Sequence, residues 1–107
     1  RVIGSGYFGW LDWWSMGPGV PAHASADFVP VPFGDVAALR EAVDAAGESL
    51  AAIVLEPVVE RAAPIEWLRE ARRLADRAGA VLVFDEIKLG GRVHVGGWQA
   101  VCGVTPD

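Results

Sequence analysis

With 107 residues and 52% apolar side chains, the chain has room for one domain and enough apolar surface for a packed core, which excludes a disordered tail. A net charge of −5, with Lys88 the single lysine and the one cluster of arginines, Arg69 to Arg77, set among interleaved acids, excludes the basic footprint of a nucleic-acid binder. The longest apolar run, Leu50 to Leu55, is far shorter than the ~20 residues of a membrane span.

The first residues, Arg-Val-Ile-Gly-Ser-Gly, carry neither an initiator methionine nor a signal-peptide layout and read as a cut inside a longer chain. Val2 to Ser5 reads as a short strand, and glycines 4, 6 and 9 supply backbone freedom around Tyr7 and Phe8. From Trp10 to Ala26 three tryptophans, Gly17-Pro18-Gly19 and Pro21 read as a broken surface loop, mobile unless something covers it. Phe28 to Phe33, with prolines 30 and 32, is an edge or extended segment because proline removes a ladder donor. Asp35 is the expected N-cap of a helix with Val36, Leu39, Ala42, Val43 and Ala46 on its apolar side and Gly47 at its end.

Leu50 to Leu55 is apolar without alternation, as in a strand covered on both faces of a parallel sheet, and it ends at Glu56-Pro57. A second helix is expected with Pro64 in its first turn, a buried stripe of Trp67, Leu68, Ala71, Leu74, Ala75 and Ala78, a solvated charged face, and Gly79 at its end. Ala80 to Phe84 is then a second continuous apolar strand, ending at Asp85-Glu86. Strand, helix and strand make a βαβ crossover, so both strands run parallel and finish on an acid. Lone Cys102 reads as a small buried apolar residue and fits a reducing cytoplasm. His23 and His94 fall in loops without metal-ligand spacing.

Ligands of open parallel sheets bind at the carboxyl ends of the strands, where Glu56 and Asp85 both lie. An acid directly after a run as apolar as 80–84 must be solvated or paired with a cation. Two chemistries want an acid there. One is the metal-holding strand of a P-loop nucleotide hydrolase, with Asp85 and Glu86 at the metal; its phosphate loop, G-x-x-x-x-G-K-[ST], is not in the chain. The other is pyridoxal phosphate, whose ring nitrogen stays protonated beside a carboxylate.

Five segments occur in order: Gly6-Tyr7-Phe8-Gly9-Trp10, Val31-Pro32-Phe33-Gly34-Asp35, Leu55-Glu56-Pro57-Val58, Phe84-Asp85-Glu86-Ile87, and Gly96-Gly97-Trp98-Gln99 running into Gly103-Val104-Thr105-Pro106-Asp107. Together they resemble the class III pyridoxal-phosphate-dependent aminotransferases, in particular the glutamate-1-semialdehyde aminomutase branch. The resemblance implies an α/β fold, part of the large domain of a fold-type I transferase built from parallel βαβ units. Residues 1–34 would be the loop-rich segment that stacks on the cofactor, and 35–107 the βαβ segment that carries the aspartate of the pyridine nitrogen.

By the same resemblance, pyridoxal 5'-phosphate is the cofactor, Asp85 pairs with its ring nitrogen, and Tyr7 and Ile87 lie on its two faces. Lys88 stands where side chains approach the phenolic oxygen. The implied activity is amino transfer between small-molecule amino donors and acceptors by way of a pyridoxal Schiff base, in a cytoplasmic homodimer. Phe8 replaces the usual histidine, Leu89 a common threonine, and the loop from Val59 to Pro64 looks shorter than in the aminomutases. The Schiff-base lysine is expected beyond Asp107 and the phosphate cradle before Arg1, which would leave this piece inactive alone. A truncated, non-catalytic chain is the remaining alternative.

Overall fold

The apolar runs become the strands of one parallel sheet. In the computed structural model, which describes residues 1–9, 11–15 and 17–107, Trp10 of the first motif and Met16 lie outside the described residues. Strand β1 spans Val2–Ser5, β2 Phe28–Pro30, β3 Ala52–Leu55 and β4 Val81–Phe84. They lie in the order β2-β1-β3-β4, each neighbour parallel. The expected parallel pair is present as β3 and β4, with Ile53 opposite Leu82 and Leu55 opposite Phe84. β2 is an edge strand, in keeping with Pro30 at its end.

Helix α1, Val36–Ala46, starts where the Asp35 side chain accepts a hydrogen bond from the Ala38 amide at 2.9 Å, satisfying one of the helix's free donors. Helix α2, Ile65–Ala78, has Pro64 one position earlier than expected, at its N-cap, and closes on Gly79 at φ 65°. Both helices cover the same side of the sheet. Ile3, Ile53, Leu55 and Leu82 are fully buried there against Leu39, Trp67, Leu68 and Leu74.

The expectation that β3 and β4 are covered on both faces needs correction. Side chains alternate along a strand, and the rows Val2, Ala52, Val81 and Gly4, Val54, Val83 point away from the helices. Val81 is 48% and Val83 39% exposed. The physical reason is topological. The crossovers from β2 to β3 and from β3 to β4 step across the sheet in one direction, and crossovers of one hand then place both helices on one face.

Among the described residues, aromatic rings cover the β1–β2 end of the open face. Gly4 leaves the room: a Cβ there would lie 2.6 Å from the Phe28 ring. Phe8, Trp14 and Phe28 meet edge to face, with centroids 4.6 and 4.7 Å apart, and Trp13 stacks on Phe8. The segment after Phe8, expected as a broken surface loop, thus contributes Trp13 and Trp14 to packing. It also contains a 3₁₀ turn, Ala22–Ser25, which takes up His23.

The charged face of α2 is not simply solvated either. Glu70 is buried, and its carboxylate accepts from Arg73 at 2.6 and 2.8 Å and from Arg40 of α1 at 2.7 Å. Arg77 reaches Asp44 of α1, and Arg72 pairs with Asp76 and Asp107. Packing of α1 beside α2 turns the expected outer face into a seam between the helices. Among the described residues no helix is long and apolar enough to cross a membrane.

The guanidinium of Arg73, and then that of Arg40, hold the Glu70 carboxyl at about 2, below its ordinary 4.5. A lowered folded-state pKa contributes stability that is full above about pH 4.5 and is lost as pH falls through about 2. Glu70→Gln is therefore expected to be less stable than the parent at pH 7, with the two urea midpoints converging as pH approaches 2.

Candidate functional site

Two backbone hydrogen bonds carry the sheet ladder past the strand ends and set the site. The Glu56 amide donates to the Ser5 carbonyl at 2.9 Å, and the Asp85 amide donates to the Leu55 carbonyl at 2.8 Å. Ser5, Glu56 and Asp85 therefore step along one carboxyl edge of β1, β3 and β4.

Glu56 is buried at that edge, 7% exposed, and its Oε2 accepts from the Tyr7 amide at 3.0 Å. Gly6 allows the approach. Its φ is 147°, and a Cβ there would lie 2.5 Å from the Glu56 Cβ. The Tyr7 backbone is thus tied to the end of β3, while its ring is 62% exposed.

Asp85 is half-buried, and its Oδ1 accepts from the Ile87 amide at 3.1 Å, turning the chain sharply after β4. Ile87 emerges from that turn 92% exposed. Lys88 is exposed, but its Nζ donates to the Val59 carbonyl and ties the loop after β4 to the loop after β3. Tyr7, Asp85, Ile87 and Lys88 are all brought to the rim of one cavity of about 650 Å³, with Val54 and Val83 of the open sheet face among its floor residues. That volume suits a small organic ligand.

Glu86 faces elsewhere. Its Oε2 accepts from the Trp98 amide at 2.6 Å and so caps a helix that sequence periodicity missed, α3, Gly97–Cys102. Gly97 is required there, since a Cβ would fall 2.5 Å from that carboxylate. The six-residue helix was invisible because its start is specified by a side chain eleven residues earlier. Cys102, its last residue, is buried as expected. His94 accepts the Gly96 amide at Nδ1. Among the described residues no group of three or more His, Cys, Asp or Glu side chains could hold a metal.

A second cavity, about 340 Å³, adjoins the first across Tyr7 and Val59 and is also lined by Gly6, Phe33, Glu60 and Arg61. Neither Arg61 nor the anchoring role of Glu56 follows from spacing. The proximity of Gly6 to an acid after the neighbouring strand is the signal that could have pointed to the latter.

The sheet ends on two acids, with an exposed aromatic and an exposed aliphatic side chain beside one of them, and the fold is that of the pyridoxal-phosphate-dependent transaminases. Solved structures carry this statement. A transaminase with pyridoxal phosphate bound matches 100% of the chain at TM-score 0.91 and 26% identity, and an omega-transaminase from Sphaerobacter thermophilus matches 99% at TM-score 0.87 and 26% identity. The match takes in 29% and 30% of those chains.

In sequence, the chain matches a segment of the glutamate-1-semialdehyde aminomutase branch of the class III aminotransferases. It is 44% identical over 93 residues to the glutamate-1-semialdehyde 2,1-aminomutase of Ignicoccus hospitalis and 39% identical over 94 residues to that of Syntrophus aciditrophicus, covering 83% and 84% of the chain. The chain spans 22% of the length of each of these curated relatives. No family model matches it. The P-loop hydrolase reading finds no support among these relatives, and Glu86, its water-polarising residue, is engaged in capping α3.

Because Gly6 occupies a backbone region that other residues rarely adopt and abuts Glu56, Gly6→Ala is expected to destabilise the chain by ~1–3 kcal/mol. Urea denaturation followed by tryptophan fluorescence measures it, with Gly9→Ala as the contrasting variant: Gly9 shares a positive φ, 76°, but nothing lies within 4 Å of a Cβ there, so the larger loss expected at Gly6 reports the approach of Glu56.

Proposed function

We propose that this chain is the part of a pyridoxal-phosphate-dependent aminotransferase or aminomutase that holds the faces and the nitrogen of the cofactor ring, within the large domain of the whole protein. The observation that supports it best is the grouping of Tyr7, Asp85 and Ile87. The acid at the end of β4 lines one cavity with two side chains, Tyr7 and Ile87, that are 62% and 92% exposed. Apolar groups exposed at a concave polar edge are what a flat, partly charged ring would cover.

The residues present fit that ring. Asp85 uses Oδ1 in its own turn, and Oδ2 accepts from no partner among the described residues, so it is available to a ring N–H. Pyridoxal phosphate supplies a protonated pyridine that draws electrons from the bonds of an attached amine carbon. Asp85 keeps the proton on the ring nitrogen through opposite charge. Tyr7 and Ile87 flank the ring and exclude water, and Glu56 holds Tyr7 in place through its amide. Lys88, which braces the Val59 loop, would lie on the side of the ring's phenolic oxygen. The whole protein acts on small amino compounds as a cytoplasmic homodimer, whose partner covers the tryptophan-rich loop after Phe8, where Leu11 is exposed.

Pyridoxamine 5'-phosphate tests this, because it carries the ring but cannot form a Schiff base with Lys88. Titrated against the chain and followed by tryptophan quenching, it is expected to bind saturably, with Asp85→Asn weakening it roughly tenfold or more through loss of a charge-assisted hydrogen bond. Equal binding by the parent and by both Asp85→Asn and Asp85→Ala would sink the assignment of Asp85.

A further inference from the structure

The second cavity contains a cation whose use the ring contacts do not explain. β3 leaves the sheet through Glu56-Pro57, and the chain then doubles back so tightly that Val58 and Ala62 pair antiparallel. The Ala63 amide donates to the Pro57 carbonyl at 2.9 Å, and Lys88 holds the Val59 carbonyl from the other side. Arg61 sits in this braced turn. Its guanidinium carbon lies over the Phe33 ring, 5.9 Å from the centroid, and Phe33 packs in turn on fully buried Trp67 at 5.4 Å.

Stacking on an anchored ring orients a guanidinium while leaving its edge donors free. Arg40, Arg72, Arg73 and Arg77 all pair with acids, whereas Arg61 forms no ion pair or side-chain hydrogen bond among the described residues. It lines the 340 Å³ cavity together with Tyr7, whose other surroundings include the Asp85 cavity.

We propose that Arg61 is the carboxylate-recognising residue of the site, binding the acid end of an amino-acid-type substrate in the cavity that adjoins the ring site across Tyr7 and Val59. This rests on the reading of the Asp85 cavity as the ring site. A planar fork matches a carboxylate with two parallel hydrogen bonds, and the aromatic wall beneath it accepts the substrate's apolar stem. Glu60 shares the lining. It opposes a bare anion and favours a ligand that carries an amine as well as a carboxylate.

The test uses propionate, the smallest probe with an apolar stem and a carboxylate, titrated into the isotope-labelled chain. The Arg61 Nε–H and the Gly6 and Tyr7 amides are followed by NMR, with equal chloride as the control. Saturable shifts are expected, with roughly tenfold weaker binding to Arg61→Gln, an intermediate loss in Arg61→Lys, which keeps the charge but not the fork, and tighter binding to Glu60→Gln. Shifts that stay linear, or an unchanged dissociation constant in Arg61→Gln, would overturn the proposal. Inorganic phosphate provides a second arm. If it binds the same resonances more than tenfold more tightly than propionate, Arg61 serves a phosphate and the carboxylate assignment fails. Propionate and pyridoxamine phosphate are separate probes, so failure here is distinguishable from failure of the ring reading.

Discussion

The hydrogen-bond ladder between β1, β3 and β4 continues one residue beyond the strands themselves, through Glu56 to Ser5 and Asp85 to Leu55. Everything at the functional edge follows from that continuation. Because parallel ladders keep neighbouring strands in step, a shift of one residue in β4 would turn Leu82 out of the core, where it is fully buried, and would rotate Asp85 away from the cavity. Burial of Ile53, Leu55 and Leu82 against α2 therefore sets the position of an aspartate that makes no core contact of its own.

Three polar side chains then convert that edge into a shaped rim, each by holding backbone rather than another side chain. Glu56 holds the Tyr7 amide, Glu86 the Trp98 amide, and Lys88 the Val59 carbonyl. Loops carry the groups that meet a ligand, and loops without such ties sample many conformations. Glycines make two of the ties possible. Gly6 and Gly97 stand where a Cβ would collide with the very side chain that does the holding, the Glu56 Cβ and the Glu86 carboxylate.

The division of labour between the two sheet faces also follows from topology. Helices α1 and α2 seal one face, with the Glu70 ion-pair cluster closing the seam between them. The other face stays open over Val54, Val81 and Val83 and is capped at one end by the Phe8, Trp13, Trp14 and Phe28 rings. The cavity lies between that aromatic cap and the turn after β4. Phe8 is held in that cap by the rings of Trp13 and Trp14.

The strands, the two long helices with their caps, and the placement of Glu56 and Asp85 at one edge were legible in the residues, because each depends on local signals: apolar runs, helical spacing, Asp35, Gly47 and Gly79. The grouping of Tyr7 with Asp85 and Ile87 needed resemblance to other proteins, since nothing in spacing joins residues nearly eighty positions apart. What local pattern could not contain was decided by packing. Continuous apolarity in β3 and β4 is the same whether one face is covered or two, so the open face emerged only from the strand order. The α2 charges read as solvated until α1 lay beside them, α3 awaited a cap supplied by Glu86, and Arg61 met Phe33 only when the turn after β3 folded back. Each of these rests on contacts between segments distant in the chain, whose partners a local reading has no means of choosing.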